Sequence, residues 1–491
     1  MRSFVASVAA GLLLVLAYPP RGWALLAPVA VAIFLTAIRS AETRRTAIAS
    51  GAGFGLAFFG FLFPWLAELG VIALVPLLLL QAAFPTLYAG LLYRVKTGPA
   101  WFLASVGGWA LMELVRERFP LGGFPWGMLG YPAGEFTATR NATQWLGTSG
   151  WSVLIASLAA GVALYVTTRQ RRDIWYPVFA GALFFLVAGL GGVFPNPASG
   201  QEIRVAIVQG STPCPGTHCP DERALTYASH LDLTSRLAAG SLDLVVWPEG
   251  STGGFRSDPV NSPKVAAAIG EQARRLGAVF LVGGDRPISD TEWINANVGF
   301  DTTGTIVGEY RKRHPVPFGE YIPARSLFDW IPELSAIPRD MVPGEGVVLF
   351  DLDGEKFGSV ISFESSFARY GRDTVKSGAG LLVVATNQGS YPYSVASDQL
   401  IGMTRMRSAE LGVDVVHSAV TGRSTIITDA GVVGPKTALA EPAVITGTVQ
   451  MREGSPTLYT RWGDWVQVLA ALSLFLLLSP WRRVDESLIE G

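Results

Sequence analysis

A chain of 491 residues exceeds the size of one hydrophobic core, so it holds at least two structural units. Apolar residues make up 49% of it and charged residues only 16%, against roughly 25% in soluble proteins, which excludes a wholly soluble chain. A formal net charge of -1 and the lack of any basic block argue against a nucleic-acid partner.

The uncharged runs extend from Phe4 to Val193 and return at Val466 to Leu478. Met1-Arg2 and the apolar stretch to Tyr18 share the pattern of a signal peptide. Six further runs follow, at Trp23 to Ile38, Thr46 to Phe63, Val71 to Tyr93, Trp101 to Val115, Trp151 to Val166 and Trp175 to Val193. The first stretch therefore reads as the first of seven spans, ended by Pro19-Pro20. Arg39, Arg44 and Arg45 follow the second span, Arg94 and Lys96 the fourth, and Arg169, Arg171 and Arg172 the sixth. Every second loop is basic, which predicts that these loops and the N-terminus are cytoplasmic. A final span near Trp465 to Leu478 would return Arg482 and Arg483 to the same side. The expected division is a seven-helix transmembrane region over 1–198, a soluble domain over 201–452, an eighth helix over 465–480 and a cytoplasmic tail over 481–491. The connection from Arg116 to Trp145 carries FPLGGFPWGMLGYP, with the ionisable Glu113 just before it. Two readings of it stand open: a wall that positions a lipid, or an interfacial re-entrant loop with aromatic anchors.

Ile203 to Gln209 opens the soluble part as a strand. Cys214, His218 and Cys219 follow in CPGTHC; a local disulfide, free thiols and a metal site are the three readings, and a fourth metal ligand is wanting. A helix is expected over Asp221 to Ala238, and then a strand over Ser241 to Glu249 that runs out in Trp247-Pro248-Glu249. A helix over Pro263 to Leu276, a strand over Val279 to Gly283 and a loop with Asp285 continue the α/β alternation. Hairpins follow. Ile294 to Phe300 and Ile306 to Arg311 flank the turn Asp301 to Gly304, and Lys312 leaves the second arm in KRHPVPFGEYIP, with Glu320 eight residues on. Val347 to Phe350 and Phe357 to Val360 lead into Ser362 and Glu364 in VISFESSF. Gly380 to Thr386 ends in Asn387-Gln388-Gly389; a helix over Ala396 to Leu411 and strands at Val415 to Val420, Ser424 to Thr428 and Val444 to Val449 close the domain.

With Trp247-Pro248-Glu249, KRHPVPFGEYIP and VISFESSF taken together, the chain resembles the apolipoprotein N-acyltransferases, the membrane branch of the nitrilase or carbon-nitrogen hydrolase superfamily. The resemblance implies eight spans and an extracytoplasmic nitrilase-like αββα sandwich, in a bacterial inner or plasma membrane. It implies that Glu249 is the general base, Lys312 the cation that stabilises the tetrahedral oxyanion, and Glu320 and Glu364 supporting carboxylates, with Trp247, His314 and Asn387 near the pocket. The reaction it implies takes an acyl chain from a phospholipid onto the enzyme and passes it to the diacylglyceryl cysteine of a lipoprotein, with no cofactor. Where the family has a nucleophilic cysteine, this chain has Ser362, followed by Phe363 in place of an aromatic hydroxyl. A hydroxyl needs stronger base assistance than a thiol, and no His-Asp relay is visible. Asn387-Gln388 and Val420-Thr421-Gly422 also depart from the family's Asn-Asp and Asn-Thr-Gly. Two functions follow: acyl transfer through Ser362, or a catalytically impaired relative that binds lipid or serves as scaffold to another envelope protein.

Overall fold

A computed structural model describes residues 1–195, 200–217, 219–328 and 330–478, the last four by backbone alone. Arg482, Arg483, the expected tail over 481–491 and His218 lie outside the described residues. The chain divides into two compact units, Met1–Pro195 with the segment from Trp462 onward, and Asn196–Arg461.

The first unit is helical. Its helices are α1 (Arg2–Val15), α2 (Leu26–Arg39), α3 (Arg44–Leu62), α4 (Val71–Leu92), α5 (Gly98–Arg116), α6 (Thr137–Thr168) and α7 (Trp175–Val193), with a closing helix at Trp465–Leu478. Thr43 starts α3 by accepting the Thr46 N–H, an N-cap that satisfies one otherwise orphaned donor. Helix α6 bends at Gly147, whose φ of 70° only glycine adopts freely. It begins at Thr137, so the end of the expected Arg116 to Trp145 connection is already helical. Four segments are long and apolar enough to cross a membrane: Arg44–Leu62, Val71–Leu92, Thr137–Thr168 and Arg171–Val193; α1, α2 and the closing helix are shorter apolar helices. Phe179, Phe185 and Leu79 leave most of their surface bare, which suits a lipid solvent.

The GGFPWGMLGY segment packs largely inside the helical unit. Trp126, Met128, Leu129 and Tyr131 are buried within the helical unit. Arg116 Nη1 donates to the Phe124 and Trp126 carbonyls at 3.1 and 2.6 Å, Glu113 Oε1 accepts from Leu129 N at 2.8 Å, and the Tyr18 hydroxyl donates to the Met128 carbonyl at 2.9 Å. Irregular backbone persists at such a place only when protein groups satisfy it, and Glu113 and Arg116 do so here.

The second unit has two sheets. Its strands are β1 (Glu202–Gln209), β2 (Leu244–Val246), β3 (Val279–Pro287), β4 (Glu292–Phe300), β5 (Ile306–Arg311), β6 (Asp340–Met341), β7 (Leu349–Leu352), β8 (Glu355–Ile361), β9 (Leu381–Thr386), β10 (Asp414–Ala419), β11 (Thr425–Ile427) and β12 (Ala443–Gln450). One sheet runs β12-β1-β2-β3-β4-β5 with β6 beside β4, and the other runs β11-β10-β9-β8-β7. Between them Ile207, Val246, Leu281 and Tyr310 meet Phe357, Ile361, Val383 and Val416 in one core. The helices α8 (Glu222–Ser235), α9 (Pro263–Leu276), α10 (Ala368–Lys376) and α11 (Ala396–Leu411) follow in chain order. Val265 and Ile269 of α9 pack on Val245 and Phe280 of the first sheet; Val375 of α10 and Ile401 of α11 pack on Val384 and Val415 of the second. The result is four layers, α, β, β, α. Each fully buried aliphatic side chain contributes about 1.5–3 kcal/mol by leaving water, and strands buried on both faces read as the near-continuous apolar runs seen in VAIV and LLVVA.

Candidate active site

Parallel pairing joins β1, β2 and β3, and antiparallel pairing carries the chain on to β4 and β5, so β2 and β5 end at the same edge of the first sheet. Glu249 lies just beyond β2 and Lys312 follows β5 directly. Ser362 follows β8 in the other sheet. Strand ends of this kind leave side chains free of the ladder while the backbone behind them stays fixed.

Lys312 is 1% exposed, and its Nζ donates to Glu249 Oε1 at 3.2 Å and to Glu320 Oε1 at 2.5 Å. Burial works against its charge, but Glu249 and Glu320 more than offset that and hold the ammonium above its ordinary range. Burial pushes the Glu320 carboxyl up, while Lys312 pulls it back. Its other oxygen accepts from Val316 N at 2.7 Å, which fixes the proline-rich loop around the cation. Glu249 Oε1 also accepts from Asn295 Nδ2 at 2.7 Å. The second Glu249 oxygen has no protein donor among the described residues, so it is the one free to take a proton.

Ser362 opens a tight helical turn, Ser362–Ser366, with φ of 50°. A non-glycine residue held in the left-handed region costs roughly 1–3 kcal/mol and persists where the surroundings over-determine it. The surroundings here are Glu364. Fully buried, it accepts from Ile361 N at 2.7 Å, the Tyr310 hydroxyl at 2.8 Å, Arg313 N at 2.6 Å and His314 N at 3.0 Å. One carboxylate therefore ties the serine turn to the segment that carries Lys312. The Ser362 side chain is half-buried, and its hydroxyl makes no hydrogen bond among the described residues.

The remaining expected residues differ in their surroundings, and Asn387 lies beside Gly250, next to Asp285. His314 is wedged against Phe363 and Phe367, its Nδ1 is 3.0 Å from the Tyr370 hydroxyl, and burial, then Arg369 and Lys312, bring it down to about 3. It is a neutral packing group, not a relay to Ser362. Trp247 has no exposed surface and donates to Thr234 on the helical side of the first sheet, which leaves it outside the polar cluster. Asn387 is exposed, and its Oδ1 accepts from Gly389 N at 2.8 Å. Cys214 and Cys219 form a disulfide in a turn whose Gly216 N donates to the Gly389 carbonyl at 3.2 Å. Among the described residues no group of three or more His, Cys, Asp or Glu side chains is arranged to hold a metal.

Asn295 joins the site without having been singled out in the sequence; Asp285, expected only as part of a loop, and Tyr391 lie near it. Tyr391 is pushed up by burial first and then by Glu249, against Lys312. The available signal was INANVGF, where asparagines at 295 and 297 alternate within an otherwise apolar strand and so share one face.

Comparison with known proteins covers both units. The family of apolipoprotein N-acyltransferase N-terminal domains matches residues 10–161, and the carbon-nitrogen hydrolase family matches residues 204–457. An apolipoprotein N-acyltransferase from Geobacter metallireducens is 31% identical over 94% of this chain and 92% of its own. One from Methylococcus capsulatus is 29% identical over 100% of this chain and 98% of its own. A solved carbon-nitrogen hydrolase superfamily protein from Xanthomonas campestris aligns with a TM-score of 0.40 at 22% identity, over 51% of this chain and 91% of its own.

Proposed function

This chain belongs to the apolipoprotein N-acyltransferase family, and from that premise we propose a division of labour among its own residues. The enzyme is an acyltransferase that moves a fatty acyl chain from a phospholipid to the N-terminal diacylglyceryl cysteine of a lipoprotein. The relatives' shared name favours this over a lipid-binding scaffold.

In the first half-reaction Ser362 Oγ attacks the phospholipid ester carbonyl, and its proton passes to the free oxygen of Glu249. The Oγ–C bond forms as the carbonyl becomes an oxyanion facing the Lys312 ammonium, a fixed charge in a dry site. Collapse expels the lysophospholipid, which carries away the proton from Glu249. In the second half-reaction the acceptor amine attacks the acyl-serine ester. The observation that carries this reading is the buried Glu249–Lys312–Glu320 cluster, at 3.2 and 2.5 Å, on the edge where the segment bonded to Glu364 begins. Glu320 holds the ammonium in place and Glu364 positions both segments.

The same reading extends to topology. Seven N-terminal spans and a closing one, with Arg39, Arg44, Arg45, Arg171 and Arg172 on the cytoplasmic side, put the Asn196–Arg461 unit outside the cytoplasm. Within this scheme the protein is multi-pass in a bacterial inner or plasma membrane with both termini inside.

Radiolabelled phospholipid tests the nucleophile. The purified chain is expected to acquire a covalent acyl group that survives neutral hydroxylamine, as an oxygen ester does; Ser362→Ala abolishes it. Ser362→Cys acquires the group faster and releases it to hydroxylamine as a thioester. Undiminished labelling of Ser362→Ala sinks the serine assignment, and no labelling in any form sinks covalent transfer.

A further inference from the structure

Beside Glu249 lie acceptor atoms that neither acylation nor packing uses. Asp285 on β3 and Asn295 on β4 are directly opposed across an antiparallel ladder, so their side chains leave the sheet on one face about 5 Å apart. The hydrogen bond from Asn295 to Glu249 identifies that face as the one that carries the base. Asn295 is 3% exposed, yet its Oδ1 is buried without a partner among the described residues, and so is Oδ1 of Asp285. Across from them is Gly250, with φ of 68°; a Cβ placed on it would stand 3.2 Å from Asn387 Nδ2 and 3.6 Å from Asp285 Oδ2. The glycine keeps this corner open.

A buried acceptor left without a donor costs about 1–3 kcal/mol. Two together beside a catalytic base call for a ligand that brings N–H groups. The charges facing Asp285 are Glu249, Glu320 and Asp258 against Lys312. Its neighbour Arg286 is already engaged, with Asp258 at 3.5 Å and with Glu309. The corner therefore repels a phosphate or carboxylate and attracts an organic cation.

We propose that Asp285 receives the ammonium head of the acyl acceptor and takes from it the proton that blocks its attack. The proposal rests on the acyl-transfer reading above. An α-amine has a pKa near 8 and arrives mostly as an ammonium at neutral pH. One proton passes to Asp285 Oδ1. The freed lone pair attacks the acyl carbonyl on Ser362, and the C–N bond forms. The second proton passes through Glu249 to Ser362 Oγ as the C–O bond breaks, and Asp285 then gives its proton to solvent. Ester and ammonium become amide, hydroxyl and one released proton. Burial first, then Glu249, Glu320 and Asp258, opposed by Lys312, bring the Asp285 carboxyl up to about 7, close to the working pH of a proton acceptor in this step.

The two half-reactions separate this role from acylation. Full-length chain in detergent is acylated with labelled phospholipid, then given a synthetic peptide bearing an N-terminal diacylglyceryl cysteine. Asp285→Asn is expected to leave acyl-enzyme formation within about two-fold and to slow transfer to the peptide about 100-fold, the usual scale of general-base assistance. The deficit should shrink as pH rises past 8, where the amine arrives without its extra proton, and Asp285→Glu should recover part of the rate. An Asp285→Asn chain that transfers normally overturns the proposal alone. Equal slowing of both halves at every pH reduces Asp285 to a structural part and overturns it too. A wild-type chain that never forms the acyl-enzyme overturns the proposal together with the reading beneath it.

Discussion

Glu364 accepts four hydrogen bonds from three segments, Ile361, Tyr310 and the Arg313-His314 backbone, and its charge has no route to water. Glu364→Gln would set an NH2 group against some of those donors. Thermal melts should show a loss of about 3 kcal/mol, and acyl-adduct formation should fall at least ten-fold because the serine turn and the lysine segment are no longer tied. The motifs WPE, KRHPVPFGEYIP and VISFESSF made Glu249, Lys312, Glu320 and Ser362 legible as residues: Glu249 and Ser362 follow the apolar ends of β2 and β8, and Lys312 and Glu320 share the proline-rich segment after β5. Asp285 and Asn295 were not legible, because their part depends on which strands pair and in what register. His417 supplies a second residue-level test. It is fully buried on β10, both ring nitrogens lack partners among the described residues, and burial brings it down to about 3 from an unfolded value near 6.5. The unfolded chain therefore binds the extra proton between those values, so this residue's contribution to stability is intact above pH 6.5 and is lost as pH falls. His417→Leu removes that loss. The stability gap between variant and wild type should widen in favour of the variant by about 1 kcal/mol per pH unit between pH 6 and 4, as denaturant titrations at several pH values would measure.

Strand β3 approaches the Glu249 loop more closely than any side chain allows. A Cβ on Gly283 would lie 2.2 Å from the Pro248 carbonyl oxygen and 2.7 Å from Glu249 Cα. Gly283→Ala should leave the fold intact by circular dichroism while displacing Glu249. A displacement of that kind, near 1 Å, costs about 100-fold in rate; an unchanged acylation rate would show that the loop yields freely. At this scale the sequence was read well where one period dominates. Pro263–Leu276, Ile306–Arg311 and Ala396–Leu411 coincide with the expected bounds, whereas β2 shrinks to Leu244–Val246, with the Trp247 N–H still donating to the Leu281 carbonyl at 2.8 Å. Strand β3 runs on to Pro287 and so takes Asp285 out of its expected loop. Helix α10, ARYGRDTVK, was missed: its charges and Gly371 resemble a loop, and only Gly371, Thr374 and Val375 are fully buried, with Ala368 and Tyr370 packed in part against the core.

Across the whole chain, the alternation of basic loops makes a prediction that needs no geometry between the units. A cysteine placed at exposed Glu42 should resist a membrane-impermeant thiol reagent in intact spheroplasts, and one at exposed Ser241 should react. The reverse pattern would invert the proposed orientation. Both kinds of unit were legible from composition, but the burial of the Pro125 to Tyr131 segment was not, because it depends on Arg116 and Glu113 finding carbonyls and N–H groups eight to sixteen residues away. The closing helix has a further consequence. Its leading Trp465 donates to the Trp145 carbonyl at 2.9 Å, Asp464 accepts from Ser149 at 2.8 Å, and Gly107 of α5 admits the Ala470 backbone where a Cβ would come within 2.6 Å. The helical unit is thus completed by a stretch that is made only after the whole Asn196–Arg461 unit has been translated. During synthesis the face of α5 that receives Ala470 therefore stands unfilled for the time it takes to make the Asn196–Arg461 unit, so the helical unit can close its packing only after the two-sheet unit has been translated.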